Sequence, residues 1–347
     1  MHVIDSHFHW WPRSVFERLC KRKAYPRTEV NPRNGGYTYW RREGIESPLG
    51  GWAEWFDLDK QLEHMDGLGH QVDVVCSIGP FSVHFSEVPP EEGRDFALQW
   101  NEEMAGAQRR YPGRLWASAA VPLTDTRIAI EVLDDAVNRL GLMGVNLPGS
   151  VGSDPRIDAE RLEPFYDRVE QLGVPMFLHP TDAVFQDMLD GYDGALYLSL
   201  GRVVEVSVAA MRLVLSGIME RHPNLKLVMS HTGGALPYQS GRMDKNSKAA
   251  KLPQPPSTYL KRMYTDTVSP HTAGMKFAIE YYGVDRVMYG SDYPCWSPAA
   301  ALDFFAKIGL SPADQEKVLY GNARRILGLK DPVPRDAGQK ARETAPA

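Results

Sequence analysis

The sequence has few cysteines, no long apolar run and no excess of basic residues. Its three cysteines, Cys20, Cys76 and Cys295, lie far apart and form no CxxC pair, which argues against a disulfide framework and favours a reducing compartment. No stretch of about 18 uninterrupted apolar residues is present, as a membrane helix needs, and no signal-like leader precedes the first apolar run. We therefore predict a cytoplasmic protein without a membrane partner.

The charge balance gives no sign of a nucleic-acid partner. The 347 residues carry 39 Lys and Arg against 44 Asp and Glu, for a formal net charge of −5. A basic surface of the kind that binds nucleic acid or anionic membranes is therefore not expected, and a small molecule is left as the partner. We predict one large domain over residues 1–330, followed by a disordered tail at 331–347, where Pro, Ala and charged residues show no periodicity.

The first apolar run ends in two histidines, His7 and His9. In a β-strand, residues at i and i+2 face the same side, so both imidazoles can reach one metal ion. An isolated pair of this kind is more often a packed or exposed pair of histidines. The metal interpretation therefore requires further ligands at the ends of other strands.

Three more apolar runs end in a potential ligand or acid–base group. The run 175–179 ends at His179, the run 225–231 ends at His231, and the run 286–292 ends at Asp292. Imidazole nitrogen and carboxylate oxygen are both zinc ligands, and either group can also move the proton of a bound water.

Short apolar runs alternate with helix-like segments along the chain. This alternation predicts a parallel sheet, and eight such units fit a closed (β/α)8 barrel with its active site at the carboxyl ends of the strands. The predicted strands are 2–8, 72–79, 115–121, 143–147, 175–179, 226–231, 263–268 and 287–291, and the predicted helices are 57–68, 94–111, 125–140, 158–172 and 202–222.

Two long segments exceed what a minimal barrel needs. Residues 10–56 and 180–201 are predicted as excursions that rise over the barrel mouth and shape a pocket. Aromatic residues such as Phe81 and Trp296 follow strand ends and are candidates to line a flat pocket, or they pack the excursions onto the barrel. Asn146, at the end of the fourth strand, binds either substrate or a neighbouring loop.

The strand-end motifs resemble those of the amidohydrolase superfamily, and within it the branch of aminocarboxymuconate-semialdehyde decarboxylase and related enzymes. The resemblance implies a distorted TIM barrel with a long insertion after the first strand, one divalent metal ion per chain, and a homodimer. Zinc is the usual metal in members with HxH, with Mn²⁺ or Co²⁺ as alternatives. The motifs are Ile4-Asp5-Ser6-His7-Phe8-His9, Phe177-Leu178-His179-Pro180, Ser230-His231-Thr232-Gly233-Gly234, Tyr264-Thr265-Asp266, Gly290-Ser291-Asp292-Tyr293-Pro294 and Gly321-Asn322-Ala323.

The same resemblance assigns roles to the strand-end residues. By position, His7, His9, His179 and Asp292 resemble the metal ligands, and His231 resembles the general acid/base that works on the metal-bound water. Asp292 would also orient that water. One departure is that aromatic-acid decarboxylases of the resorcylate type begin with ExH, whereas this chain begins with HxH.

Three arginines are candidates to bind a substrate carboxylate. Arg242, in Ser240-Gly241-Arg242-Met243, matches an arginine that in the semialdehyde decarboxylase reaches the site of the neighbouring subunit. A second arginine of that enzyme lies in the first long connection, where Arg41 and Arg42 are the candidates. Arginine binds a carboxylate through two parallel hydrogen bonds, so these residues would suit a small acidic substrate.

The combined pattern predicts a catalytic metal site. Three histidines and one carboxylate leave coordination positions open for a water, whose pKa falls towards ~7 on a metal ion. We predict a decarboxylase of a small unsaturated or aromatic carboxylic acid, in which His231 exchanges protons with the metal-bound hydroxide. The same residues would also suit a hydrolase or hydratase acting on a lactone, amide or ring-cleavage product. A barrel that only binds metal is the non-enzymatic alternative.

Overall fold

Outside the first excursion, strands that pair in parallel alternate with helices over the described part of the chain. The computed structural model describes residues 1–43, 45–46, 51–76, 84–152, 154–181, 189 and 191–329. The described strands are β1 (His2–Phe8), β2 (Arg27–Asn31), β3 (Gly36–Arg42), β4 (Ile45–Glu46), β5 (Gln71–Cys76), β6 (Leu115–Ala117), β7 (Val145–Pro148), β8 (Pro175–His179), β9 (Lys226–Met229), β10 (Tyr264–Asp266) and β11 (Val287–Met288).

The α-helices lie between the strands and after the last one, and they are numbered in sequence order. Those described are α1 (Arg13–Cys20), α2 (Leu58–Asp66), α3 (Pro90–Arg110), α4 (Thr126–Asp134), α5 (Glu163–Leu172), α6 (Arg202–Leu215), α7 (Ile218–Arg221), α8 (Leu236–Asn246), α9 (Pro256–Leu260), α10 (Thr272–Tyr282), α11 (Pro298–Ala306), α12 (Pro312–Glu316) and α13 (Asn322–Ile326).

Eight of the strands form two parallel sheets, with the orders β1-β5-β6 and β11-β10-β9-β8-β7. Backbone contacts also join the two sheets at both pairs of edges. Ala119, just after β6, bridges Val145 of β7 in parallel, and the amide of Ser6 in β1 donates to the carbonyl of Tyr289, just after β11, at 2.8 Å. The prediction of a mixed α/β protein with a parallel sheet is therefore confirmed.

Each of the eight predicted strands overlaps an observed strand, although several observed strands are shorter or shifted by one residue, and residues 77–79 of the second predicted strand lie outside the described residues. The predicted strand 287–291 forms only Val287–Met288, because the chain after Met288 turns into the strand-end region. The predicted helix 125–140 ends as α4 at Asp134 and continues as one wider π-helical turn, Asp135–Arg139. The predicted helix 202–222 is divided at Gly217, whose φ of 82° lies in the left-handed region that glycine tolerates.

The strands of the two parallel sheets are almost wholly buried, as is typical of parallel sheets whose two faces are both covered. Every residue of β8 is buried, for example. A small inner cluster contains one side chain from each of five strands, next to residues of α13. Its strand members are Ile4, Val75, Phe177, Val228 and Met288.

The first excursion, residues 10–56, is a folded layer rather than only a long connection. It contains α1 and the antiparallel sheet β2-β3-β4, and its aromatic side chains pack against one another. The rings of Trp11 and Trp55 lie 4.0 Å apart between centroids. The layer is tied to the strand-end region because the hydroxyl of Tyr293 donates to the carboxylate of Glu54. Aromatic packing between residues far apart in sequence explains a structure that periodicity alone did not reveal.

The second excursion is described only in part, since residues 182–188 and 190 lie outside the described residues, as does the predicted tail at 331–347. Helical turns at Tyr192–Gly194 and Tyr197–Gly201 lead into α6. Among the helices of the described segments, none is both long and apolar enough to span a bilayer.

Candidate metal centre

The five residues predicted at strand ends come together in one buried cluster. The ring of His7 lies 5.0 Å from that of His9 and 5.3 Å from that of His179, measured between centroids. The His231 ring lies 5.5 Å from the His179 ring. Within the cluster, two groups of ligand atoms lie close enough for a common metal ion: His7, His9 and His179, and His7, His231 and Asp292.

Asp292 connects the histidines through its carboxylate. Its Oδ1 lies 2.7 Å from Nε2 of His9 and 3.4 Å from Nε2 of His7, while Oδ2 lies 3.8 Å from Nε2 of His231. Burial opposes the charge of this carboxylate, but the adjacent His7, with hydrogen bonds from the histidines, holds the pKa of Asp292 well below its usual range. Asp292 is therefore an anionic ligand candidate at the middle of the cluster.

Asp266, at the end of β10, orients two parts of the site. Its Oδ2 lies 2.6 Å from Nδ1 of His7 and accepts the backbone N–H of His231 at 3.2 Å, and its Oδ1 accepts the N–H of Thr232 at 3.1 Å. Asp266 belongs to the motif Tyr264-Thr265-Asp266, for which no role was predicted. The rule that found the other residues, a polar group at the end of a parallel strand, also applies to it.

Two histidines present an unused nitrogen to the interior of the cluster. His7 is held through Nδ1 by Asp266, and the Nδ1–H of His179 donates to the carbonyl of Pro180 at 2.9 Å. In each ring the other nitrogen, Nε2, is buried without a hydrogen-bond partner. A histidine fixed through one nitrogen so that the other can bind is the usual arrangement of a metal-ligating histidine. The residues therefore fit a divalent cation.

The electrostatics of the cluster agree with this fit. Burial lowers the pKa of His9 to about 4 and that of His179 well below its usual value, so both rings are neutral and keep a lone pair for a metal. Burial also opposes the charge of His7, but Asp292 and Asp266 outweigh it and raise the pKa of His7 to about 10. Two carboxylates thus favour positive charge at the position of the His7 ring.

Two residues that follow β9 and β11, His231 and Asp292, have unusual backbone conformations. His231 has a φ of 54° and Asp292 a φ of 61°, in the left-handed region that non-glycine residues rarely adopt. Asp5 supports the loop at Asp292, because its Oδ1 accepts the N–H groups of Ser291 at 3.0 Å and His7 at 3.1 Å. Such conformations persist only where surrounding bonds determine them.

Gly290 lets β1 approach the loop after β11. A Cβ atom on this residue would lie 2.7 Å from Cβ of His7 and 3.1 Å from Cβ of Asp266. Real Cβ atoms do not approach that closely, so a side chain at position 290 would displace the pair formed by His7 and Asp266.

The predicted substrate-binding residues are placed less centrally. The guanidinium of Arg41 pairs with the carboxylate of Glu87. Arg242 is exposed on α8. The side chain of Arg42 and the whole of Phe81 lie outside the described residues.

Asn146 and Trp296 differ in their surroundings. Asn146 is buried, and its Nδ2 donates to the carbonyl of Ala119 at 3.1 Å, while its Oδ1 has no partner. Trp296 is 41% exposed and lines a cavity of about 70 Å³ together with Gly290 and Ser291. Both therefore lie beside the strand ends, and neither is a member of the histidine cluster.

Two buried charged residues near the site were not predicted, Arg202 and Glu205 of α6. Glu205 is 1% exposed, and its Oε1 accepts the backbone N–H of Thr181 at 2.8 Å and the hydroxyl of the same residue at 2.5 Å. Arg202 is 7% exposed. Two opposite charges three residues apart in a valine-rich helix were the available signal, since charges on an apolar helix face are rarely buried without a role.

The site combines parallel strands that lead to buried histidines and carboxylates with oriented ring nitrogens that could bind a cation. This combination is typical of a class of metal-dependent α/β enzymes. The sequence model of the amidohydrolase family matches residues 4–329. The chain belongs to this family, as the motifs predicted.

Individual relatives agree with this membership. The chain is 32% identical over 289 residues to a gamma-resorcylate decarboxylase of Rhizobium sp. (strain MTP-10005), covering 78% of this chain and 87% of that protein. It is 28% identical over 284 residues to a 2-amino-3-carboxymuconate-6-semialdehyde decarboxylase of Dictyostelium discoideum, covering 79% and 77%. These relatives confirm the prediction of an enzyme of the carboxy-lyase type.

A solved structure is also similar over nearly the whole chain. The crystal structure of 2,6-dihydroxybenzoate decarboxylase in complex with 2,6-dihydroxybenzoate has a TM-score of 0.77 and 26% sequence identity to this chain. The match covers 95% of this chain and 100% of that one. The fold therefore agrees with that of a decarboxylase of the same family.

Proposed function

We propose that this protein is a zinc-dependent decarboxylase of a small aromatic or unsaturated carboxylic acid. The observation that carries the proposal is that His7, His9 and His179 offer ligand atoms close enough for one cation, with Asp292 2.7 Å from His9 and with Nε2 of His7 and of His179 buried without a hydrogen-bond partner. The decarboxylase names of the relatives favour loss of CO2 over the alternative hydrolase or hydratase reaction.

The scaffold we propose is a closed, distorted (β/α)8 barrel over residues 1–330. Its support is the pair of junctions between the two sheets, at Ala119 with Val145 and at Ser6 with Tyr289. In such a barrel the carboxyl ends of all eight strands surround one site, which would explain why residues at or just after the ends of β1, β8, β9 and β11 meet.

The chemistry of the donor set favours zinc. Imidazole nitrogen with one carboxylate oxygen is a donor set typical of catalytic zinc, although Mn²⁺ and Co²⁺ accept similar ligands. When bound, such a cation polarises substrate oxygens and acidifies a water molecule. His7, His9, His179 and Asp292 would hold it, with Asp266 fixing the orientation of His7.

His231 is the proposed proton donor. Loss of CO2 breaks the bond between the carboxylate and its neighbouring carbon, and the electron pair left on that carbon takes up one proton. His231 is 8% exposed, more than the other three histidines of the cluster, and imidazole is the side chain that most often acts as a general acid or base in enzymes. Water can therefore reprotonate it after each turnover.

The resemblance also leads us to propose a homodimer in which Arg242 of one subunit approaches the site of the other. Its exposure on α8 leaves it available for such a contact. A sedimentation-velocity profile of a fully active monomer would contradict this part of the proposal.

The test of the function is release of CO2. The purified protein is loaded separately with Zn²⁺, Mn²⁺ and Co²⁺, its metal content is measured, and it is incubated with 2,6-dihydroxybenzoate and with muconate-type acids. We expect about one metal ion per chain, and CO2 release together with a change in ultraviolet absorbance. Turnover of lactones or amides without release of CO2 would instead identify a hydrolase. Higher activity with Mn²⁺ than with Zn²⁺ would indicate that manganese, and not zinc, is the metal.

A further inference from the structure

A second cavity lies outside the metal centre, between α1, α2 and α3. Its volume is about 720 Å³, and Trp10, Phe56 and Leu58 form apolar parts of its lining. None of the five strand-end residues of the metal centre lines it. Small-molecule sites have volumes of about 300–1,000 Å³, so the cavity is large enough for a ligand of its own.

The face of α3 that borders this cavity lacks a side chain at Gly106. A Cβ atom on Gly106 would meet nothing within 4 Å, so no contact within the described part of the chain requires glycine there. Glycine destabilises the interior of a helix relative to alanine. The missing side chain leaves open space at the cavity wall, and a bound ligand would use that space.

Most of the charged side chains around the cavity already form ion pairs. Two opposite charges of the lining, Arg13 and Glu103, have no ion-pair partner among the described residues. A ligand that carries one charge of each sign would match this pair. The ion pairs of the other charged lining residues are Asp59 with Arg110 at 2.7 Å, Glu102 with Arg139 at 2.7 Å, and Asp57 with Lys60 at 2.9 Å.

The two remaining charges lie near each other at the start of α1. The carboxylate of Glu103 accepts the hydroxyl of Ser14 at 2.6 Å, and Ser14 directly follows Arg13 in the sequence. The guanidinium of Arg13 lies over the rings of Phe56 and Tyr37, at 5.1 and 5.9 Å from their centroids. Arg13 and Glu103 therefore border the same end of the cavity without neutralising each other.

The N-terminus of α1 also favours an anion beside Arg13. The helix begins at Arg13 without a capping side chain, and its first turn contains no acidic residue. The first amide groups of a helix carry partial positive charge and attract carboxylates. A carboxylate of the ligand would thus be stabilised by the guanidinium and by the helix end, and an ammonium group by Glu103.

We propose that this cavity binds a free amino acid as its zwitterion. The carboxylate of the amino acid pairs with Arg13, its ammonium group pairs with Glu103, and an apolar side chain packs against Trp10 and Phe56. The planar guanidinium suits a carboxylate, which it binds through two parallel hydrogen bonds. The inference does not depend on the proposed decarboxylase reaction, because no lining residue belongs to the metal centre.

Calorimetry of the zinc-loaded protein with three probes that share a phenyl ring tests the two charges. Phenylalanine carries both charges, phenethylamine only the ammonium, and 3-phenylpropionate only the carboxylate. We expect phenylalanine to bind about 5-fold more tightly than the other two, the upper range of an ion pair near the surface. Arg13→Met should weaken phenylalanine and leave phenethylamine unchanged, whereas Glu103→Gln should weaken phenylalanine and leave 3-phenylpropionate unchanged.

Gly106→Leu tests where phenylalanine binds. The leucine side chain would occupy the open space of the cavity, and leucine is a better helix former than glycine, so the protein should fold. Binding of phenylalanine should be lost in this variant while its zinc content equals that of the wild type. Phenylalanine binding that persists would overturn the inference, because it would lie elsewhere, for instance on the zinc ion.

Glu91→Gln and Arg127→Met are the matched controls. Glu91 lies on α3 like Glu103, its nearest guanidinium is that of Arg127 at 3.9 Å, and neither residue lines the cavity. Both variants should bind the three probes as the wild type does. The inference is also overturned if the wild type does not bind phenylalanine, if it binds the three probes equally, or if Arg13→Met and Glu103→Gln weaken all three by the same factor.

Discussion

Nδ1 of His7 and Oδ2 of Asp266 lie 2.6 Å apart, although 259 residues separate them in sequence. The same oxygen accepts the backbone N–H of His231, so one carboxylate orients both a candidate ligand and the candidate proton donor. Loss of this carboxylate should therefore affect metal binding and catalysis together.

Asp266→Asn should weaken zinc binding by about 10- to 100-fold, as loss of a carboxylate behind a metal-ligating histidine usually does. Competition with a chromophoric chelator measures the affinity. Asp73→Asn is the matched control, because Asp73 is also a buried carboxylate bonded to a histidine, His2, at 2.5 Å, but lies at the start of β5. Equal zinc affinities of the Asp266 variant and the wild type would show that this bond does not orient His7.

The roles of His179 and His231 can be separated by substitution. His179→Ala should lose both metal and activity, because it removes a proposed ligand. His231→Ala should keep about one metal ion per chain and lose about 10²- to 10⁴-fold in turnover, the usual contribution of a general acid or base. Metal analysis and CO2 release measure the two effects, and an active His231→Ala protein would exclude the proposed role of that histidine.

A methyl group at position 290 should disturb the site through its contacts with His7 and Asp266. In Gly290→Ala the new Cβ would meet Cβ of His7 at 2.7 Å, so the His7 backbone must move and zinc affinity should fall. We expect a loss of stability of about 1–3 kcal/mol, typical of overpacking, measured by urea unfolding. Gly241→Ala is the control, since a Cβ there meets nothing within 4 Å; a similar loss in both proteins would point to a general effect of replacing glycine.

Glu163 should make stability depend on pH in the acid range. Its two oxygens accept from Arg221 at 2.6 and 2.7 Å, and this pairing lowers the pKa of Glu163 from 4.5 to about 2. The folded state therefore favours the charged carboxylate, so the stabilisation is complete above pH 4.5 and is lost as the pH falls towards 2.

Glu163→Gln tests this dependence. Because the Arg221 side chain is 49% exposed, water and salt screen the pair, and the wild type should exceed the variant by only about 0.5 kcal/mol at pH 7. Urea unfolding at pH 7 and near pH 2 measures the difference. A difference that stays constant over this range would exclude Glu163 as its source.

The sequence was informative where a short apolar run ended in a histidine or carboxylate. Runs ending at His179, His231 and Asp292 could be recognised because buried parallel strands are continuous apolar segments and their carboxyl ends meet. The convergence of these residues follows from the fold. Their assignment as ligands and acid–base groups stays a prediction.

Other parts of the site depend on contacts that no periodicity encodes. Glu205 lies in a helix rather than at the end of a strand, and only its bonds to Thr181 bring it against the end of β8. The first excursion folds through ring packing, such as that of Trp11 with Trp55, between residues 44 positions apart. Such long-range packing decides structure without leaving a local pattern.

The bond between Tyr293 and Glu54 has a consequence for protein engineering. The folded layer formed by the first excursion and the loop that carries Asp292 are joined through these two side chains, across more than two hundred residues of sequence. Replacing the layer to change substrate preference would therefore remove a support of the loop that carries Asp292 unless the new segment supplied a hydrogen-bond acceptor for Tyr293. The two segments are best exchanged together, as one module.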